Sequence, residues 1–309
     1  MTTECSSGVP GSHAAMAVTL RMGIRIRAPR EFVFQHLLTA HHMARWFCNF
    51  AQFDMRGPAV GSKFRFGGDY AIAAAEPPGW TCEILGGEVL RAVSFQWPLF
   101  DADTRVEWRV EDAPDGCAMR VTHDGLPRQD STCGTFHDAW RVCLGNLKAI
   151  AEGRSDSLRP DSTPPTDPTK LDLMIDASPS KVFGAFVDLE ALRHWAAGGN
   201  PPSVEPRVGG KYHMGGDGDA GTILELDAPR RLVVEWPRRP LKRFSLELEE
   251  KSGERCGVYS VHSGLALNDP GSLVRLRCEW SDRLVSLKNF LEAGDPGFTE
   301  PYLEQVLRE

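Results

Sequence analysis

One pattern is written twice in this chain, about 140 residues apart, and the duplication limits the fold more than any single motif does. The first copy runs Ile26, Ala28, Pro29, Val33, Phe34 and on to Trp46. The second runs Ile175, Ala177, Pro179, Val182, Phe183 and on to Trp195. Later landmarks keep nearly the same offset. Val60-Gly61-Ser62-Lys63-Phe64 answers to Val208-Gly209-Gly210-Lys211-Tyr212, and Trp97-Pro98 to Trp236-Pro237. His123-Asp124-Gly125-Leu126 answers to His262-Ser263-Gly264-Leu265, and the stretch from Trp140 to Lys148 to that from Trp280 to Lys288. Solenoids and propellers repeat every 20–50 residues or so, whereas this spacing duplicates a whole domain.

The length of 309 residues agrees with two domains, each large enough to close its own core without staples. A net charge of −7 argues against a nucleic-acid surface, which carries a basic excess. No run approaches the eighteen or so apolar residues of a membrane span, and the N-terminus lacks the basic and apolar regions of a signal peptide. The eight cysteines form no C-x-x-C pair and do not repeat between the halves, so free thiols in a reducing cytoplasm are expected, with no metal and no cofactor.

The expected organisation is a disordered leader over 1–16, a first domain over 17–154, and a Pro/Ser/Asp-rich linker over 155–169. A second domain follows over 170–293, then a tail over 294–309 with a short helix from Phe298. Within each half a strand leads through Ala and Pro into two short helices. Strands of period two follow, such as Val106-Glu107-Trp108-Arg109-Val110. A long amphipathic helix closes the half, with Trp140, Leu144 and Leu147, or Trp280, Leu284 and Leu287, on one face. The order β-α-α-β-β-β-β-β-β-α predicts an α+β fold, an antiparallel sheet with a pocket between it and the closing helix.

With these motifs in this order, both halves resemble the START/Bet v 1-like (SRPBCC) superfamily, in the branch named for the activator of Hsp90 ATPase homologue. The resemblance rests on the Ile-x-Ala-Pro-x-x-x-Val-Phe opening, the Val-Gly-Ser-Lys-Phe turn, the Phe95-Gln96-Trp97 strand, the His123-Asp-Gly-Leu motif and the Trp140 helix. It spans Thr19 to about Ala293. It implies two tandem helix-grip domains, each with a hydrophobic cavity, and no shared catalytic set. Three functions stay open. One is binding, transport or sequestration of a hydrophobic, aromatic polyketide-type molecule, in antibiotic or enediyne biosynthesis or self-resistance. The second is a polyketide cyclase or aromatase. The third is a co-chaperone-like interaction module. Fold analogy does not choose among them.

The candidate ligand-binding residues are Trp80, Phe95, Trp108, Val121, His123 and Trp140 in the first half, with His262 and Trp280 in the second. The repeated tryptophans Trp46, Trp97 and Trp140 read first as packing, because both halves keep them. Trp80 and Trp108 have no counterpart and are the better ligand-stacking candidates. His123 shares a strand face with Met119 and Val121, which points it inward. It could be a general base or a polar handle, or it could fix the turn before Gly125 through a backbone hydrogen bond. Asp138 is expected near the start of the closing helix, where a carboxylate complements the helix dipole.

Overall fold

A computed structural model describes residues 17–54, 58–68, 79–99, 102–127, 130–155, 157–161, 163, 166–196, 200–215, 219–237, 242–264 and 270–299. The first half runs β1 (Ala17–Ile26), α1 (Arg30–Leu38), α2 (Ala40–Trp46), β2 (Phe50–Phe53), β3 (Lys63–Gly67), β4 (Trp80–Glu88), β5 (Ala92–Leu99), β6 (Ala102–Ala113), β7 (Gly116–Pro127) and α3 (Asp130–Ala151). The second repeats that order: β8 (Thr169–Ile175), α4 (Pro179–Val187), α5 (Leu189–Trp195), β9 (Ser203–Val204), β10 (Lys211–His213), β11 (Gly221–Asp227), β12 (Arg231–Glu235), β13 (Arg243–Lys251), β14 (Arg255–Ser263) and α6 (Pro270–Ala293). Each half is an α+β unit with a seven-stranded antiparallel sheet, ordered β1-β7-β6-β5-β4-β3-β2 and β8-β14-β13-β12-β11-β10-β9.

Local chemistry sets the element ends. Ser178 caps α4 by accepting from the Lys181 amide, with Pro179 in the first turn where its missing N–H leaves no acceptor wanting. Asp188 caps α5 through the Ala191 amide at 2.8 Å. Both sheets carry a register shift at the same place, after Ile84 in β4 and after Ile223 in β11, so the bulge that bends the sheet is part of the duplicated design.

A polar knot is also repeated. Lys148 Nζ donates to the Arg25 carbonyl and pairs with Glu152, which accepts from the Arg27 amide. Lys288 Nζ donates to the Met174 carbonyl and pairs with Glu292, which accepts from the Asp176 amide. Both lysines are nearly fully buried, and each knot ties the last turns of a closing helix to the end of its opening strand.

The two closing helices lie side by side in the same direction, because equivalent positions meet. Gly145 packs against Val285, Arg141 pairs with Asp282, and Arg154 reaches Asn289 and Glu292. The segments that follow each helix cross to the other domain. Leu158 packs on the second core, held where Asn146 donates to the Leu158 carbonyl and accepts from the Ser157 amide. Phe298 packs on the first core. The expected polar linker is thus a clamped strap, which Arg277 also grips through the Asp161 and Thr163 carbonyls.

One expectation is corrected, and the expected tail helix lies outside the described residues except at its first two positions. Gly297, at φ 89°, turns the chain so that Phe298 bridges Ile24 and the Thr299 amide donates to the Gly23 carbonyl, using the free edge of β1. Residues 300–309, like the leader over 1–16, lie outside the described residues. Asp138 is not at a helix start, because α3 begins at Asp130; it lies two turns inside, buried against α6.

Candidate functional site

β5, β6 and β7 present one face to α3, and period-two alternation places Phe95, Trp97, Thr104, Val106, Trp108, Val121 and His123 on it. From α3, Phe136 and Trp140 meet them, with Trp46 and Phe47 from the end of α2. The result is a continuous aromatic cluster. Trp108 lies 4.9 Å from Phe95, 5.3 Å from Phe47 and 5.5 Å from Trp46, between ring centroids. Trp97 stacks on His123 at 5.3 Å with 12° between planes. Trp80, half-buried, meets Trp97 edge-on at 5.5 Å and carries the cluster outward.

This cluster brings together all six candidates of the first half. Phe95, Trp108, Val121, His123 and Trp140 keep at most 1% of their surface, and they fill the space between sheet and helix with one another. His262 and Trp280 meet in the second half at 4.4 Å.

Polar groups inside the cluster divide into satisfied and unsatisfied. An indole N–H can only donate, so Trp140 Nε1, 3.2 Å from His123 Nδ1, makes that nitrogen the acceptor and puts the ring proton on Nε2. Nε2–H then donates to Thr104 Oγ1 at 2.9 Å, and the Thr104 hydroxyl donates to the Trp97 carbonyl at 2.7 Å. Burial pushes the imidazole pKa down to about 3, so the ring is neutral. Its lone pair is already engaged. His123 is tied to Thr104 and to the closing helix, and not to the backbone of the Gly125 turn. Thr104 was missed in the sequence, although it stands two residues before Val106 on the inward face. By contrast, Trp97 Nε1 and Trp108 Nε1 are buried donors with no acceptor. Such a group costs roughly 1–3 kcal/mol.

Away from this cluster, burial holds the thiols of Cys48 and Cys278 up to about 12, so neither is a thiolate near neutral pH. Among the described residues no three of His, Cys, Asp and Glu converge as metal ligands, and no helix is long and apolar enough to cross a membrane.

The family model for Activator of Hsp90 ATPase homolog 1-like protein matches residues 27–152 and again 176–292. No curated protein matches the chain. Among solved structures, the chain is similar to DynU16, from the dynemicin biosynthetic locus, with 18% identity over 89% of this chain and 99% of that one and a TM-score of 0.39. It is similar to the di-domain ARO/CYC BexL from the BE-7585A biosynthetic pathway, with 16% identity over 90% and 99% and a TM-score of 0.32. Protein MLL2253 from Mesorhizobium loti matches with 22% identity over 44% and 98%, at a TM-score of 0.38.

Proposed function

The chain belongs to the Activator of Hsp90 ATPase homolog 1-like family in both halves, and from that premise we propose that it binds a hydrophobic, planar aromatic molecule of the polyketide type, as a carrier or sequestering protein. The observation that carries this reading is the pair of acceptor-less indole N–H groups, Trp97 and Trp108, inside an aromatic cluster that reaches the surface at Trp80. A flat ring system with carbonyl oxygens offers faces to the rings and acceptors to the two donors. On this reading Trp80 swings aside on entry. Ring contacts worth about 0.5–1.5 kcal/mol each are exchanged for contacts with the ligand, so insertion need not lose packing energy.

Binding is favoured over cyclase chemistry by the state of His123. A general base needs an accessible lone pair, and Trp140 Nε1–H occupies the one this imidazole has. The test is titration of the full chain with a panel of planar polycyclic quinones, followed by quenching of tryptophan fluorescence. Saturable quenching at micromolar or tighter affinity, weakened in Trp108→Phe, is the expected result. A panel with no saturable binder overturns the reading.

A further inference from the structure

The duplicated histidine is satisfied in one domain and orphaned in the other. His262 occupies the place of His123, since Phe244 pairs with it as Val106 pairs with His123. It is fully buried, yet neither ring nitrogen has a hydrogen-bond partner. Three changes explain this. Thr104, which accepts from His123, is replaced two residues before Phe244 by Lys242, which is exposed. Trp280, the counterpart of Trp140, lies against the imidazole at 4.4 Å between ring centroids, tilted by 48°, and makes no hydrogen bond to it. Trp236, the counterpart of Trp97, lies over Gly221, where a Cβ would stand 2.9 Å from its Nε1. In the first domain Cys82 fills the corresponding position, and Trp97 stays stacked on His123.

Phe244, which stands for Val106, is larger and lies 5.2 Å from the imidazole, but several other surrounding side chains are smaller. Leu246 stands for Trp108, Val234 for Phe95, Ala196 for Phe47 and Met214 for Phe66. The wall is correspondingly less sealed. Trp236, Met214 and Trp280 keep 5%, 4% and 3% of their surface, where Trp97, Phe66 and Trp140 keep none.

We infer that the second domain holds a separate small-molecule site in which His262 pairs with a neutral hydroxyl, a phenol or alcohol, on an otherwise apolar ligand. This deepens the small-molecule reading above and rests on it. A neutral imidazole offers one donor and one acceptor on opposite sides of the ring, and a hydroxyl is the small group that can answer either one. A hydrocarbon answers neither and an ether only the donor. Burial keeps the ring uncharged, with its pKa down to about 3, so an anion gains no ion pair from it.

The test compares 2-naphthol, 2-methoxynaphthalene and naphthalene on the full chain by calorimetry, with 15N spectra of histidine-labelled protein. The expected preference is about tenfold or more for 2-naphthol over naphthalene, lost in His262→Phe, with the His262 nitrogens shifting only on 2-naphthol. His123, already paired on both sides, serves as the internal reference. Equal binding of 2-naphthol and naphthalene, or a preference that survives in His262→Phe, overturns the inference and leaves the small-molecule reading standing. His262 shifts already at hydrogen-bonded values in the free protein, unmoved by any probe, overturn it in favour of a resident water. Binding of none of the three overturns the inference together with the reading it rests on, for this domain. Should His262→Phe fail to fold, the 15N comparison on the unaltered chain decides alone.

Discussion

Gly145 on the first closing helix lies against Val285 on the second, at equivalent positions of the two copies, so close that a Cβ on Gly145 would stand 2.4 Å from Val285 Cγ1. The same crossing lets Asn289 donate to the Gly145 carbonyl at 3.1 Å. An alanine gains about 1 kcal/mol of helix propensity over glycine, but overpacking a tight crossing costs roughly 1–3 kcal/mol. Gly145→Ala is therefore expected to lower stability in urea denaturation by about 1 kcal/mol. Val285→Ala in the same chain should recover it, because the clash is with that methyl. Equal losses in the single and double variants would show that the helices are not packed at this point.

Arg141 Nε donates to Asp282 Oδ2 at 2.7 Å across the same interface, with side-chain exposures of 5% and 0%. Ser286 also bonds Asp282, and the Arg141 guanidinium covers the Phe298 ring at 3.6 Å. Removing one member strands a buried charge, at a cost of about 3–5 kcal/mol. Arg141→Met should therefore destabilise the chain by that amount. Arg141→Met with Asp282→Leu should lose far less, since no charge is left unpaired. Thermal melting of the four chains in this cycle decides.

Thr104→Val keeps the shape of a β-branched side chain and removes the acceptor of His123 Nε2–H and the donor to the Trp97 carbonyl. Leaving the buried donor unpaired should cost roughly 1–3 kcal/mol. The Nε2–H proton of His123, expected in slow exchange in the unaltered protein, should broaden or vanish in the variant. An unchanged melting point would break the proposed relay.

What was legible in the sequence, and what was not, follows from the range of the interactions. Repeated positions such as Trp46 with Trp195, or Lys148 with Lys288, show themselves because each copy confirms the other. The element order of both halves could be read from alternation and helical spacing for the same reason. Arg141 and Asp282 are not repeat equivalents, since Ser281 and Val142 stand at the matching positions. A contact made once, between domains, leaves no periodic trace. Asp138 was misplaced because its burial comes from α6, 140 residues away. The inward pointing of His123 was readable from period two. Its three-member relay was not, because hydrogen-bond geometry depends on ring orientation. The orphaned state of His262 needed both domains side by side.

The buried titratable groups set an optimum of stability near pH 6.5. Asp138 bonds His137 at 2.9 Å, and burial, helped by Glu279 and opposed by Arg141, Arg275 and Arg283, pushes its carboxyl up to about 8. An acid whose folded pKa is raised holds its proton in the native state, so its contribution is present at low pH and is lost as pH rises from about 4 to about 8. His123, His137 and His262 are each pushed down to about 3 by burial, from an ordinary value of about 6.5. Their contribution is present above pH 6.5 and is lost as pH falls toward 3. Each group contributes a slope of about 1.4 kcal/mol per pH unit within its window. From pH 8 down to 6.5 only Asp138 acts among these four, and stability rises on acidification. Below 6.5 three histidines oppose one carboxyl, and stability falls steeply. Urea midpoints measured from pH 5 to 8.5 should pass through a maximum near 6.5. Asp138→Asn should flatten the alkaline limb and steepen the acid limb by about half, while His262→Phe should make the acid limb shallower by about half. A monotonic profile over this range would show that Asp138 is ionised in the folded chain.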